Sequence, residues 1–200
     1  MPAINTSADP RVSAALDAFI ERYLEAFPRL EDFHDPQWRS TCEIAEPYLD
    51  AQGEHRVLWL PQRREPEGDV FAGLERALEV PIHPSLKTFY GRYWSGGLEA
   101  TASEGHVSLL LLWNDEDADR LVENLIGHAL TKRRLRQPMS VFFACTEADS
   151  ELFLSVDNDS GQVLLEAPGR KPLRVVAESL GVFLDGLDPA PPQLHPERPD

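Results

Sequence analysis

The residue types that most often carry chemistry in proteins are scattered along this chain of 200 residues. Its six histidines occur singly, and none forms the H-x-x-x-H or H-E-x-x-H spacing that places two metal ligands on one helical face. The chain also lacks a G-x-S-x-G motif, a P-loop and a G-x-G-x-x-G turn. His128 falls on the polar side of a predicted helix, where we expect a surface or capping histidine. These patterns predict a protein that is not an enzyme and that uses no cofactor.

Two groups of carboxylates come closest to a chemical motif. The sequence Asp157-Asn-Asp-Ser-Gly161 resembles the start of a calcium loop, but its glycine comes one position early and Pro168 stands where the bidentate glutamate belongs. We interpret this segment as a hairpin turn without a metal. Asp115 and Asp117 form a pair of the kind used in acid–base catalysis, which also requires a pocket and a perturbed pKa. The position of these two residues at a helix N-terminus implies neither a pocket nor a perturbed pKa.

The two cysteines give no sign of a disulfide or a redox motif. Cys42 and Cys145 are far apart and form no C-x-x-C. Cys145 ends the apolar run Val141-Phe-Phe-Ala-Cys145, which predicts a reduced, buried core residue. A cytoplasmic location is the expectation that follows.

Nothing in the sequence predicts direct attachment to a membrane. The first residues have neither the basic nor the apolar region of a signal peptide. The longest apolar run, Leu109-Leu-Leu-Leu-Trp113, is far shorter than the ~20 residues that span a bilayer. We find no basic amphipathic helix and no lipidation motif, so a direct lipid anchor is not expected.

Charge is the most unusual property of the composition. The chain has 34 acidic and 19 basic residues, a formal net charge of −15. The acids are interleaved with apolar residues from Asp9 to Asp185, so they belong to a folded surface rather than to an acidic tail. Such a surface repels nucleic acid and anionic lipid and attracts cationic protein. We therefore expect a basic polypeptide as the partner and no binding of nucleic acid.

Apolar residues at three- and four-residue steps predict the helices that position these acids. One helix begins behind the N-cap Asp9 and ends before Pro28, and another begins after Asn114 and ends before Pro138. Shorter helices are expected after the cap Asp69, from Pro84 to a glycine stop at Ser95-Gly-Gly97, and around residues 176–187.

Alternating apolar residues between turn signals predict the strands, whereas residues 29–52 show no clear period. The pattern favours one α/β (α+β) domain at residues 8–187, with a mostly antiparallel central sheet flanked by helices. The proline-rich residues 188–200 are expected to be a disordered tail. The predicted strands cover residues 56–60, 98–102, 106–113, 140–146, 152–156 and 162–166.

Several motifs between residues 84 and 187 fix polar as well as apolar positions. They are Pro84-Ser-Leu-Lys-Thr-Phe-Tyr90, Leu110-Leu-Leu-Trp113, Arg120-Leu-Val-Glu-Asn-Leu-Ile-Gly-His128 and Lys132-Arg-Arg-Leu135. Together they resemble the Syd family of bacterial SecY-interacting proteins, and the similarity covers most of residues 10–187. The pattern from Pro84 to Gly97 is also similar to the broader SUKH superfamily, which includes many toxin-immunity proteins.

The resemblance implies a SUKH-like fold and a non-enzymatic protein that binds the SecY translocation channel and monitors its assembly. It also implies a concave, negatively charged surface that receives the cytosolic loops of the channel. This chain departs from the family between Cys42 and Glu65, where it is longer and more acidic, and in its proline-rich tail.

Charge and resemblance agree on the kind of partner. Cytoplasmic loops of membrane proteins are rich in lysine and arginine, so an acidic protein would be held on the cytoplasmic side of the inner membrane by such loops and not by lipid. Two alternatives are an immunity protein that neutralises a basic toxin or nuclease, and a small hydrolase. By local density of acids, the expected contact residues are Asp17, Glu21, Glu25, Glu43, Glu46, Asp50, Asp69, Glu99, Asp115, Glu116 and Asp117.

Overall fold

A computed structural model describes residues 8–103, 105–147 and 149–194 of the chain. Within this part of the chain, no helix is both long enough and apolar enough to cross a membrane. The helices are α1 (Pro10–Ala26), α2 (Ala72–Leu78), α3 (Pro84–Arg92), α4 (Asp115–Arg134) and α5 (Leu180–Asp185). The strands are β1 (Leu30–Phe33), β2 (Tyr48–Leu49), β3 (His55–Trp59), β4 (Gln62–Arg63), β5 (Tyr93–Trp94), β6 (Leu98–Ala102), β7 (Gly105–Leu109), β8 (Ser140–Cys145), β9 (Phe153–Asp157), β10 (Val163–Glu166), β11 (Arg174–Ala177) and β12 (Asp188–Pro189).

The centre of the fold is an antiparallel sheet of seven strands in the order β11-β10-β9-β8-β7-β6-β12. Successive side chains of β8 point to opposite faces of this sheet. The ring of Phe143 packs against Phe89 of α3 and Phe183 of α5. The ring of Phe142 packs on the other face, against His128 of α4. Helices therefore cover both faces, which confirms the predicted α+β class.

The two long helices begin where their capping residues predict. The carboxylate of Asp9 accepts the amides of Arg11 and Val12 at the start of α1. The side-chain oxygen of Asn114 accepts the amide of Asp117 at 2.9 Å and caps α4. Three acids in the first turn of α4 and three basic residues in its last turn complement the helix dipole.

A smaller sheet of three strands, in the order β1-β3-β2, lies outside the central sheet. The sequence predicts only β3, and the expectation of irregular structure at residues 29–52 is wrong at β1 and β2. β1 pairs with β3 from Leu30↔Trp59 to Phe33↔Arg56. These short strands have too few residues to show a period of their own, and their pairing with β3 is what orders them.

The end of α3 differs from its prediction. Tyr93 and Trp94 are expected on the apolar face of this helix, but they form β5 and pair with β4. Gly96 does not have the positive φ of a helix stop. Its role is steric, because a Cβ at this position would lie 2.9 Å from the ring of Trp59.

The start of α2 is also later than predicted. Asp69 does not cap the helix, whose N-cap is Phe71 without a side-chain hydrogen bond. The carboxylate of Asp69 instead accepts the amide of Phe71 at 3.0 Å, within the turn that precedes the helix.

The carboxyl-terminal segment is ordered further than predicted. Asp188 and Pro189 form β12 and pair with Thr101 and Ala100 of β6. The amide of Ala190 also donates to the carbonyl of Glu99 at 3.0 Å. The expectation that disorder begins at residue 188 is therefore wrong for these first positions, because their backbone completes an edge of the sheet. Residues 195–200 of the predicted tail lie outside the described residues.

Candidate functional site, an acidic cleft

A cleft of about 1010 Å³ opens between the smaller sheet and the amino-terminal half of α4. One wall is formed by residues 32–38, which end β1 and continue beyond it, together with Glu43 and the turn at Glu54. The opposite wall is formed by the first turns of α4, and the floor by residues 95–97 and 110–113. The cleft therefore depends on segments that are distant in sequence.

Carboxylates supply most of the charge in the lining of this cleft. Five acidic side chains face a single guanidinium, which gives a formal charge of −5 + 1 = −4 when the lining histidines are neutral. Because the cleft is concave, the fields of these charges add within it and attract cations. Among the described residues, the acids that line the cleft are Asp32, Asp35, Glu43, Glu54 and Asp117. The arginine is Arg120.

Two of these carboxylates are held in place by backbone hydrogen bonds. Asp117 accepts the amide of Trp113 at 3.0 Å. Glu43 accepts the amide of Ser40 at 3.1 Å and forms an ion pair with Arg39. Asp117 therefore presents a fixed negative charge in the cleft, whereas the side chain of Glu43 is only 4% exposed and its charge is balanced by Arg39.

Asp35 and Glu54 are more exposed than those two anchored acids. Asp35 accepts the amide of Gln37 at 2.8 Å, which orders the turn that follows β1. Glu54 lies at the turn between β2 and β3. Both side chains are open to solvent and line the cleft, so they are the carboxylates that a partner can reach most easily.

Aromatic residues support the wall that carries these acids. The indole N–H of Trp113 donates to the carbonyl of Trp38 at 2.9 Å, and the rings of Trp113 and Trp59 pack edge to face at 5.6 Å. The guanidinium of Arg120 lies 4.1 Å from the ring centroid of Trp38. The cleft thus already shows one cation–π contact of the type that recognises arginine.

The structure brings together only two of the acids predicted from sequence, Glu43 and Asp117. Asp115 and Glu116 are exposed in the same first turn of α4, next to the cleft but outside its lining. Glu46, Glu21 and Glu25 are exposed elsewhere, the last two on α1. Local density of acids therefore does not identify the concave surface.

Three further predicted acids are paired with basic residues of the same chain. Hydrogen bonds from Arg92 hold the pKa of Asp17 below its ordinary value. A hydrogen bond from Arg56 does the same for the pKa of Asp50. The nitrogen-to-oxygen distances are 2.6 Å for Arg92–Asp17, 2.8 Å for Arg56–Asp50 and 3.7 Å for Lys87–Asp69.

Glu99 does not belong to an exposed docking surface, contrary to the prediction. Glu99 is only 4% exposed, so it cannot contribute to an accessible face. The carboxylate accepts the hydroxyl of Ser108 at 3.0 Å and lies 2.7 Å from the imidazole of His106. Glu99 lies on β6, an inner strand of the central sheet between β7 and β12.

Three acids of the cleft, Asp32, Asp35 and Glu54, are not among the residues predicted from sequence. A usable signal exists for the first two, which lie in the acidic stretch that shows no apolar period. Such a stretch beside a short strand is exposed and places carboxylates at a turn. No comparable signal exists for Glu54, because its place in the cleft follows from the pairing of β2 with β3.

The described residues hold no group of three or more side chains able to bind a metal ion. His128 is not the surface histidine that was predicted, because its ring packs edge to face against Phe142 and Phe153. Burial and the neighbouring Lys132 lower the pKa of His128. Cys145 is also not a core residue, since it is exposed at the end of β8.

Comparison with known proteins gives one consistent result. The family model described as Syd protein (SUKH-2) matches residues 13–189. A protein named Protein Syd from Hahella chejuensis is 47% identical over 182 residues, which cover 90% of this chain and 92% of the relative. Proteins of the same name from Pseudoalteromonas atlantica (38% identical; 86% of this chain and 89% of the relative) and Yersinia pseudotuberculosis (35% identical; 92% and 100%) are similar along nearly their whole lengths.

Proposed function

Because the chain belongs to the Syd family, we propose that it is a non-enzymatic protein that binds the basic cytosolic loops of the SecY channel and regulates or monitors its assembly. The acidic cleft is the binding site for these loops. The protein is then peripheral on the cytoplasmic side of the bacterial inner membrane, and its partner holds it there. No lipid anchor, nucleic acid or cofactor takes part.

One observation carries this proposal, namely the collection of five carboxylates around one concave surface. Small-molecule pockets usually measure about 300–1,000 Å³, so a cleft of about 1010 Å³ is at the upper end of that range and suits a peptide segment. The cleft offers ionised oxygens on both walls beside apolar side chains such as Leu121, so it can bind both the charged heads and the apolar stems of basic residues.

The sign of the charge favours loops that project beyond the membrane surface. Anionic lipids attract basic segments by about 1 kcal/mol per lysine or arginine, and they repel an acidic protein by the same field. The cytosolic loops of membrane proteins are enriched in those same basic residues. A protein with a formal charge of −15 therefore gains from contact with the loops and loses from contact with the lipid.

We expect the protein to bind SecY complexes reconstituted in nanodiscs and to ignore nanodiscs that contain only anionic lipid. Affinity should fall about tenfold between about 0.1 M and about 1 M salt, because the Debye length shortens from about 10 Å to about 3 Å. Surface plasmon resonance measures both quantities.

A chemically matched control is a nanodisc that carries another polytopic protein with short cytosolic loops. Binding that does not respond to salt would contradict the proposal, as would equal binding to empty anionic nanodiscs.

A further inference from the structure

A second cavity, of about 400 Å³, lies beside the carboxyl-terminal half of α4. It adjoins the acidic cleft, because Leu110 and Phe142 line both. The two cavities are therefore neighbours along α4.

A single helical face connects the two cavities. Residues of α4 and its C-cap that line them recur at steps of three and four, which places them in one row along the helix. The first part of the row lies in the acidic cleft and the second part in the smaller cavity. In order, this row is Asp117, Leu121 and Asn124 in the cleft, then His128, Thr131 and Leu135 in the second cavity.

The chemistry of the second cavity differs from that of the acidic cleft. Within the described part of the chain, the charged residues of the second cavity are Lys132 and Glu166, which form a buried ion pair and neutralise each other, and Arg170, which is exposed at its edge. Apolar side chains supply most of its wall, and Leu135 at its edge is 43% exposed. These apolar residues are Leu110, Leu135, Phe142, Phe153, Ala167 and Pro168.

Gly127 leaves the mouth of this apolar cavity open. Glycine in the middle of a helix weakens it relative to alanine. A Cβ at Gly127 would meet no described atom within 4 Å, so packing does not require glycine here. The residue is exposed on α4 and lines the second cavity. The fold therefore leaves room for a side chain at this position beside the cavity.

We propose that the apolar cavity extends the docking site and receives one large apolar side chain of the same partner segment whose basic residues occupy the acidic cleft. This inference rests on the proposed function and specifies the partner further. Leu121 and Thr131 are ten positions apart on α4, a distance of about 15 Å along the helix. An extended chain covers about 3.3 Å per residue, so the apolar side chain stands about five positions after the last basic residue.

Two labelled peptides test this inference. One is Arg-Lys-Arg-Ser-Gly-Ser-Ser-Phe, and the other carries serine in place of the terminal phenylalanine. We expect the wild-type protein to bind the phenylalanine peptide about tenfold more tightly, equivalent to about 1.4 kcal/mol, because burial of the ring removes apolar surface from water. Fluorescence anisotropy measures both affinities.

The variant Gly127→Leu should fill the cavity mouth, abolish the tenfold advantage of phenylalanine and leave affinity for the serine peptide unchanged. Gly127→Ala is the control and should retain the advantage. Both variants should melt at or above the wild-type temperature, because leucine and alanine are better helix formers than glycine. Thr131→Phe, on the next turn, fills the same cavity and gives an independent second test.

Each outcome has a separate meaning. Equal binding of the two peptides to the wild-type protein overturns the apolar extension and leaves the acidic cleft standing. Failure of both peptides to bind overturns the proposed function as well. An equal loss of both peptides in Gly127→Leu also contradicts the inference, since it would place both contacts in one cavity.

Discussion

Replacement of Lys132 by methionine is expected to lower the free energy of unfolding by about 3–5 kcal/mol, the usual result of removing one partner from a buried ion pair. The Lys132 and Glu166 side chains are 6% and 1% exposed. Glu166 also accepts the hydroxyl of Ser155, and this hydrogen bond cannot by itself compensate a buried negative charge. Chemical denaturation at neutral pH measures the loss.

The pH dependence of this loss has a defined sign. Burial raises the pKa of Glu166, but hydrogen bonds from Lys132, Ser140 and Ser155 outweigh it, and the net pKa lies below the ordinary 4.5. The ion pair therefore contributes fully above about pH 4.5 and is lost as pH falls through the lowered pKa. The deficit of Lys132→Met should shrink in acid, where its unpaired carboxyl takes up a proton.

The control is Lys171→Met, which removes an exposed lysine and should change stability by less than about 0.5 kcal/mol. Equal stability of the two variants at neutral pH would show that Lys132 and Glu166 do not form a buried pair. That result would also mean that this ion pair does not hold the end of α4 on the sheet.

The second large effect is expected at Asp17, where truncation to alanine should cost about 2–3 kcal/mol of stability and leave partner binding unchanged. Asp17 accepts hydrogen bonds from Arg92 at 2.6 Å and from the hydroxyl of Tyr93 at 2.9 Å. Arg92 is 6% exposed, so its guanidinium would be buried with Glu67 as its remaining ion-pair partner among the described residues. Denaturation and peptide-binding measurements on the same samples separate the two properties.

Glu21→Ala is the matched control, because Glu21 lies one turn further along α1 and is exposed. It should be neutral in both measurements. If Asp17→Ala lost binding but not stability, Asp17 would be part of the docking surface. That result would contradict the stabilising role of its ion pair with Arg92.

The long helices could be predicted because their signals are local. Asp9 and Asn114 cap α1 and α4 through contacts within four residues, and the apolar steps behind them report a single buried face. The strands β8, β9 and β10 could be predicted equally well, since the residues of each strand alternate or are all apolar between turn residues. By contrast, Tyr93 and Trp94 have a good helical pattern, and only their pairing with the distant β4 makes them a strand.

The site was harder to predict for the same reason. Asp17 and Arg92 are separated by 75 residues, so the sequence does not reveal that this acid is already paired. The cleft joins the turn at Asp35 to the first turns of α4, and only the folded chain brings these charges to one surface. Composition and charge predict a cationic partner, whereas the acidic cleft that we propose for it could be located only in the folded chain.

The most direct test of the docking account compares two pairs of charge reversals with the same change in formal charge. Asp35→Lys with Glu54→Lys alters the cleft, and Glu21→Lys with Glu25→Lys alters the exposed side of α1. We expect the cleft pair to weaken binding to SecY nanodiscs about a hundredfold, or about 2.7 kcal/mol, because like charges would then meet. The affinity of the α1 variant for SecY nanodiscs should stay within about threefold of the wild-type affinity, since these substitutions change long-range attraction only. Equal losses in the two variants, or a cleft variant that binds as well as the wild type, would contradict the account.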